Sequence, residues 1–173
     1  VLPAYFDQCC RDIEAYLAVL GNNKPLHVQI FNEQNMPRWA LWNGYGEGFG
    51  DSYNDMLVFN HWFSRGYRLL KLRFGEAIKV DFSPLAIGNY DVYTGNSSHQ
   101  NVSYYMHGPE AARPAASEAD IQAAIKSGPC YEALSLADGY LAHCYLHWGE
   151  AAWKDTFYGL RFIKYAKFFP KPM

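Results

Sequence analysis

No stretch of about 18 or more consecutive apolar residues occurs in this chain, so no segment has the length and character of a membrane-spanning helix. There is no surplus of basic charge either. Fifteen Lys and Arg stand against 17 Asp and Glu, a formal net charge of -2. Nothing in that balance asks for nucleic acid or an anionic lipid surface. Proline, at 9 of 173 residues, is not enriched, and half the chain is hydrophobic, which excludes wholesale disorder. Cysteine is limited to Cys9, Cys10, Cys130 and Cys144, whose spacing matches no zinc pattern. The adjacent pair Cys9-Cys10 is poorly placed to bridge to itself. These features favour a reduced, cytoplasmic setting. The first residue is Val1, not Met, which leaves room for a removed leader.

What the chain has in excess is aromatic side chains, with 14 Tyr, 11 Phe and 5 Trp. Large flat rings in that number serve a core, a binding surface, or both. With no internal repeat and no long linker, residues 1–173 read as a single α+β domain.

Residues 4–20 carry the clearest periodicity. At about 100° per residue, Tyr5, Phe6, Cys9, Cys10, Ile13, Tyr16, Leu17 and Leu20 share one face. Pro3 and Gly21 punctuate the two ends as those of a helix. Leu26–Ile30 alternates as a strand, and Arg38–Trp42 is a short aromatic run of the same kind. Leu70, Leu72 and Phe74 alternate with Lys71 and Arg73, and Ile78, Val80 and Phe82 alternate with Lys79 and Asp81. Gly75-Glu76 between them predicts a hairpin turn. Residues 90–94 and 102–106 add two further candidate strands. Ser52 followed by Asp55 is a capping-box pattern, so 52–65 reads as helix, although its Met-Leu-Val-Phe centre also suits a strand. Helices are expected over 117–126, 130–148 and 151–168. The expected fold is therefore a mainly antiparallel β-sheet covered by an N-terminal helix and a C-terminal helical cluster.

Three constellations could carry chemistry. His143, His147 and Glu150 have the spacing of one helical face, and two imidazoles with a carboxylate suit a divalent metal such as zinc. On the same helix Leu134, Leu141, Trp148 and Ala152 mark the buried side, so a solvated polar face explains the histidines equally simply. Cys130 opens a predicted helix, where the dipole stabilises a thiolate, and His107 or His99 would serve as its base. A packed thiol is the plainer reading. At the C-terminus, five Lys and Arg against two Asp and Glu from residue 150 onward make a basic amphipathic helix, best explained as a packed terminal element.

The most distinctive stretch runs from Trp39 to Asp51, where Gly44, Gly46, Gly48 and Gly50 alternate with other residues. It fails the dinucleotide pattern, since the third glycine position falls on Phe49 or on Asp51. The oxygens of Asp51, Asn54 and Asp55 lack the spacing of a calcium loop. Trp42, Tyr45 and Phe49 beside Glu47, Asp51 and Asp55 instead compose an acidic aromatic contact surface for another, basic protein. With no catalytic signature in the chain, the leading expectation is a small protein-binding module, of inhibitor or immunity type, needing no cofactor. The alternative is an enzyme, metal-dependent at His143, His147 and Glu150 or thiol-dependent at Cys130 and His107.

Overall fold

The computed structural model describes residues 2–21, 25–31, 53–83 and 117–141. The first helix, α1 (Leu2–Leu20), begins beside Pro3 and stops at Gly21, whose φ of 67° is the left-handed conformation glycine adopts without strain. Gly21 N donates to Leu17 O and closes the last turn. The buried stripe is narrower than the periodicity predicts. Phe6 and Ile13 are buried and Cys10 and Leu17 pack beside them, whereas Tyr5, Tyr16 and Leu20 are exposed.

Strand β1 (Leu26–Gln29) follows, then a long helix α2 (Tyr53–Phe74), a 3-10 turn (Gly75–Ala77) and strand β2 (Ile78–Phe82). Two short helices, α3 (Glu118–Lys126) and α4 (Tyr131–Leu136), lead to strand β3 (Gly139–Tyr140). The strands form one sheet in the order β1-β2-β3. Both pairings are parallel, with Leu26 opposite Ile78, Val28 opposite Val80 and Gly139 opposite Asp81. The expectation of a mainly antiparallel sheet is thereby overturned.

The cause lies at residues 70–74. Their alternation suggested the first strand of a hairpin, but they complete α2. Leu, Lys and Arg are good helix formers, and a helix already nucleated upstream gains one bond for each residue it adds. In helical geometry Leu70 is buried, Phe74 packs on the core four residues later, and Leu72 points away. Gly75, with φ 55°, ends the run. With that hairpin strand consumed, β2 pairs instead with β1 across a helical crossover, the connection that makes neighbouring strands parallel.

A second correction concerns the helix expected over 130–148, which ends at Leu136. Ala137 is extended (φ -48°, ψ 139°), and Asp138-Gly139 supplies turn chemistry that the helical wheel overlooked. Leu141, assigned to the buried side of that helix, is 37% exposed. The strands expected at 38–42, 90–94 and 102–106 and the helix expected at 151–168 lie outside the described residues.

One face of the sheet, carrying Ile78, Val80 and Phe82, packs against α2 with all three side chains fully buried. Phe82 meets Phe59 and Phe63 at ring-centroid distances of 5.5 and 5.2 Å. Phe31 extends the aromatic cluster from Phe59 to Tyr5. Gly66 lets α1 approach α2, because a Cβ there would run into the Phe6 ring and lie 3.1 Å from Ile30. On the other flank of α2, Asn60 Oδ1 accepts the backbone N–H of Ala133 at 2.8 Å and anchors α4. Among the described residues, no helix is long and apolar enough to cross a membrane.

Candidate functional site

A parallel sheet has a carboxyl edge, where all strands end, and open sheets of this kind bind ligands there. In this chain Phe82, at the end of β2, packs against Phe59 and Phe63 in the first half of α2, while the last turn of α2 reaches Ile78 through only the three residues Gly75–Ala77. The helix therefore runs antiparallel to the strands and starts at their carboxyl edge. Residues 32–52 connect Phe31, just past the end of β1, to Tyr53 at that same edge. Parallel topology thus places Phe31 and Tyr53, the described residues on either side of 32–52, at the edge where a parallel sheet presents its binding loops.

Trp42, Tyr45, Glu47, Phe49 and Asp51 themselves lie outside the described residues, and Asp55 falls in the first turn of α2. His99, His107, His143, His147 and Glu150 also lie outside them. The helix that would have aligned His143, His147 and Glu150 with Leu134 stops at Leu136. Among the described residues, no group of three His, Cys, Asp or Glu side chains is placed to hold a metal ion. Cys130 precedes α4 as expected, but it is fully buried, and its thiol donates to Met56 O at 3.6 Å. That is the environment of a packed thiol rather than an accessible thiolate.

The sheet face turned away from α2 holds a polar pair that the strand patterns left unremarked. His27 Nδ1 lies 2.6 Å from Asp81 Oδ2. The imidazole side chain is 56% exposed, whereas the carboxyl is 1% exposed on the middle strand. Asp81 Oδ1 is buried and has no hydrogen-bond partner among the described residues. Lys79 lies opposite His27 in the β1–β2 register, and Ser83 Oγ donates to Leu141 O at 3.1 Å. A signal was available. Strands of parallel sheets usually read as unbroken hydrophobic runs, and Ile78-Lys79-Val80-Asp81-Phe82 breaks that rule at every second residue.

Burial pushes the Asp81 carboxyl above its ordinary range, and Asp138 adds to the rise, while the hydrogen bond and charge of His27 and the charge of Lys79 oppose it. The sign for stability follows from proton binding. Above the ordinary carboxyl value the unfolded chain has released this proton and the folded chain still holds it, so stability falls as pH rises through the raised value. Asp81→Asn cannot ionise and should flatten that slope in thermal melts across the acidic range. An unchanged slope in the variant would assign it to another group.

A second network stands behind β2. Asp138 Oδ2 accepts the backbone N–H of Val80 at 2.9 Å, Tyr67 OH donates to Oδ1 at 3.4 Å, and Lys71 Nζ lies 3.5 Å away. Burial and the charge of Asp138 push the Tyr67 phenol up to about 12. These residues hold β2, β3 and the end of α2 together and are structural.

Comparison with protein-family models, curated proteins and solved structures finds no match for this chain.

Proposed function

We propose that this chain is a protein-binding module that engages a basic partner through the segment containing Trp42, Tyr45, Glu47, Phe49, Asp51 and Asp55, masking that partner as an inhibitor or immunity-type protein does. The observation that carries this reading is topological. Phe31 and Tyr53, the described residues that flank residues 32–52 in sequence, both lie at the carboxyl edge of a parallel sheet. The composition supplies the rest, since aromatic anchors among carboxylates are what a basic surface recognises. Cys9 and Cys10 are thiols rather than a disulfide, in keeping with action in the cytoplasm.

Affinity capture from the native host, washed at moderate salt, identifies the partner. The double variant Tyr45→Ala/Phe49→Ala is then expected to weaken the purified complex by about 100-fold or more if these rings are interface anchors. Its melting temperature should stay within about 2 °C of the parent, as surface changes usually allow. A variant that still binds but melts much earlier would assign both rings to the core and remove this reading.

A further inference from the structure

Asp81 and Asp138 both set a carboxylate against β2, and the two do different things. Asp138 accepts the N–H of Val80 and the hydroxyl of Tyr67, so its oxygens satisfy groups of the fold. The side chain of Asp81 satisfies no backbone group. It is 1% exposed on the middle strand, and among the described residues its Oδ2 meets only His27 Nδ1, at 2.6 Å, while its Oδ1 has no hydrogen-bond partner. A buried carboxylate in that position costs stability, and an apolar side chain of similar size would suit the strand better. What Asp81 does hold is an imidazole that is 56% exposed. With Nδ1 turned to the carboxylate, the ring presents Nε2 on its opposite side, and that nitrogen has no partner among the described residues. Asp81 is also the next-to-last residue of β2, one position from the carboxyl edge where parallel sheets place their sites.

We propose that His27, held by Asp81, is a general base that hydrolyses uncharged carboxylic esters. Asp81 is the positioning residue. By accepting from Nδ1–H it fixes the tautomer that leaves a lone pair on Nε2, and its charge stabilises the imidazolium formed during the reaction. Nε2 takes a proton from water as the water oxygen bonds to the carbonyl carbon of the ester. When the tetrahedral intermediate collapses, the carbon–oxygen bond to the alcohol breaks and the imidazolium gives that proton to the departing oxygen. Acid and alcohol leave, His27 is neutral again, and nothing is oxidised or reduced. The surrounding charge selects the substrate class. Lys71 and Lys79 are both bonded by Glu76, and the carboxylates of Asp138 and Asp81 lie close by. A phosphate ester would meet more carboxylates than ammonium groups around the pair and be repelled. An acyl ester brings no charge to repel.

Hydrolysis of p-nitrophenyl acetate, followed over many turnovers from neutral to mildly alkaline pH, tests the proposal. The parent protein is expected to turn the ester over, and His27→Gln should lower kcat/KM by about 100-fold or more, the usual contribution of a general base. His61→Gln removes another exposed imidazole, on α2, and should leave the rate unchanged. Asp81→Asn should lower kcat by about 10-fold or more with KM little changed. It should also move the acid limb of the pH profile to lower pH, because the imidazolium loses its counter-charge. A residue that only supported the strand would not move that limb. His27→Gln changes an exposed side chain, so its rate decides the question even where Asp81→Asn melts early. A burst of nitrophenolate without turnover overturns the proposal. So does a parent protein no faster than His27→Gln, and so does a folded Asp81→Asn variant with the parent's rate and pH profile.

Discussion

Phe63→Ala is expected to remove about 3–5 kcal/mol of folding free energy, the usual cost of truncating a buried aromatic ring. The ring is almost fully buried and sits 5.2 Å from Phe82, 6.1 Å from Phe59 and 6.5 Å from Tyr67, measured between centroids. With Phe59, it is one of the two rings through which α2 meets Phe82 on the middle strand. Deleting it forfeits the transfer free energy of the ring and leaves a cavity between a helix and a sheet that cannot close without moving the backbone. Phe63→Leu keeps most of the volume and should cost about half as much or less. Urea denaturation of the two variants checks the order. Equal losses would mean that ring shape, not filled volume, matters at this position, and a loss below about 1 kcal/mol would contradict the close packing of α2 on β2.

Asp138→Ala is expected to cost about 2–4 kcal/mol, because one side chain satisfies three groups on two elements, α2 and β2. Its carboxylate accepts the N–H of Val80, a residue with no exposed surface, and the hydroxyl of Tyr67, and it lies within ion-pair distance of Lys71. Removing it leaves the amide of the middle strand without that acceptor and strips Lys71 of one of its two carboxylate neighbours, Glu76 remaining at 3.1 Å. The backbone of Asp138 also donates to Val80 O, so the loss falls where β3 joins the sheet. Asp138→Asn keeps an acceptor but not the charge, and about half the loss should be recovered. Hydrogen exchange at Val80 N–H gives a local readout. Protection of this amide should fall in Asp138→Ala by more than that of Ile78, and equal protection would show that the side chain is not its essential partner.

Where one periodicity ran unbroken between clear stops, local pattern and fold agree. Pro3 and Gly21 bracket α1, the alternation of Leu26–Ile30 and of Ile78–Phe82 marks β1 and β2, and residues 118–126 are helical as expected. The helix proposed from the capping-box pattern at 52–65 exists and continues nine residues further, to Phe74. The errors arose where two periods fit the same residues. Leu70, Leu72 and Phe74 alternate as a strand does, yet Leu70 and Phe74 are also one helical turn apart, and only the length of helix behind them decides. Leu134 to Leu141 fits a helical face too, until Asp138 finds the amide of Val80.

The candidate site divides in the same way. The acidic, aromatic character of residues 42–55 is a matter of composition and is visible without any structure. The dyad of His27 and Asp81 was not visible, because two residues 54 positions apart share a sheet face only once β1 and β2 pair in parallel register. Nor could the shared outer arc of Leu57, Leu69 and Leu72 be recognised while residues 70–74 of that helix were assigned to a strand.

The amino-acid sequence by itself determined the elements with a single dominant period, the balance of charge, the aromatic excess and the absence of a long apolar run. Those properties depend on near neighbours along the chain, within the reach of one helical turn or one strand alternation. Tertiary structure decided the direction of strand pairing, the burial of Asp81 beside His27 and the exposure of Leu72. Each depends on which distant segment arrives as a neighbour, and that is settled by the joint packing of α1, α2 and α4 with the sheet, where the free energy belongs to the assembled core and not to any one segment.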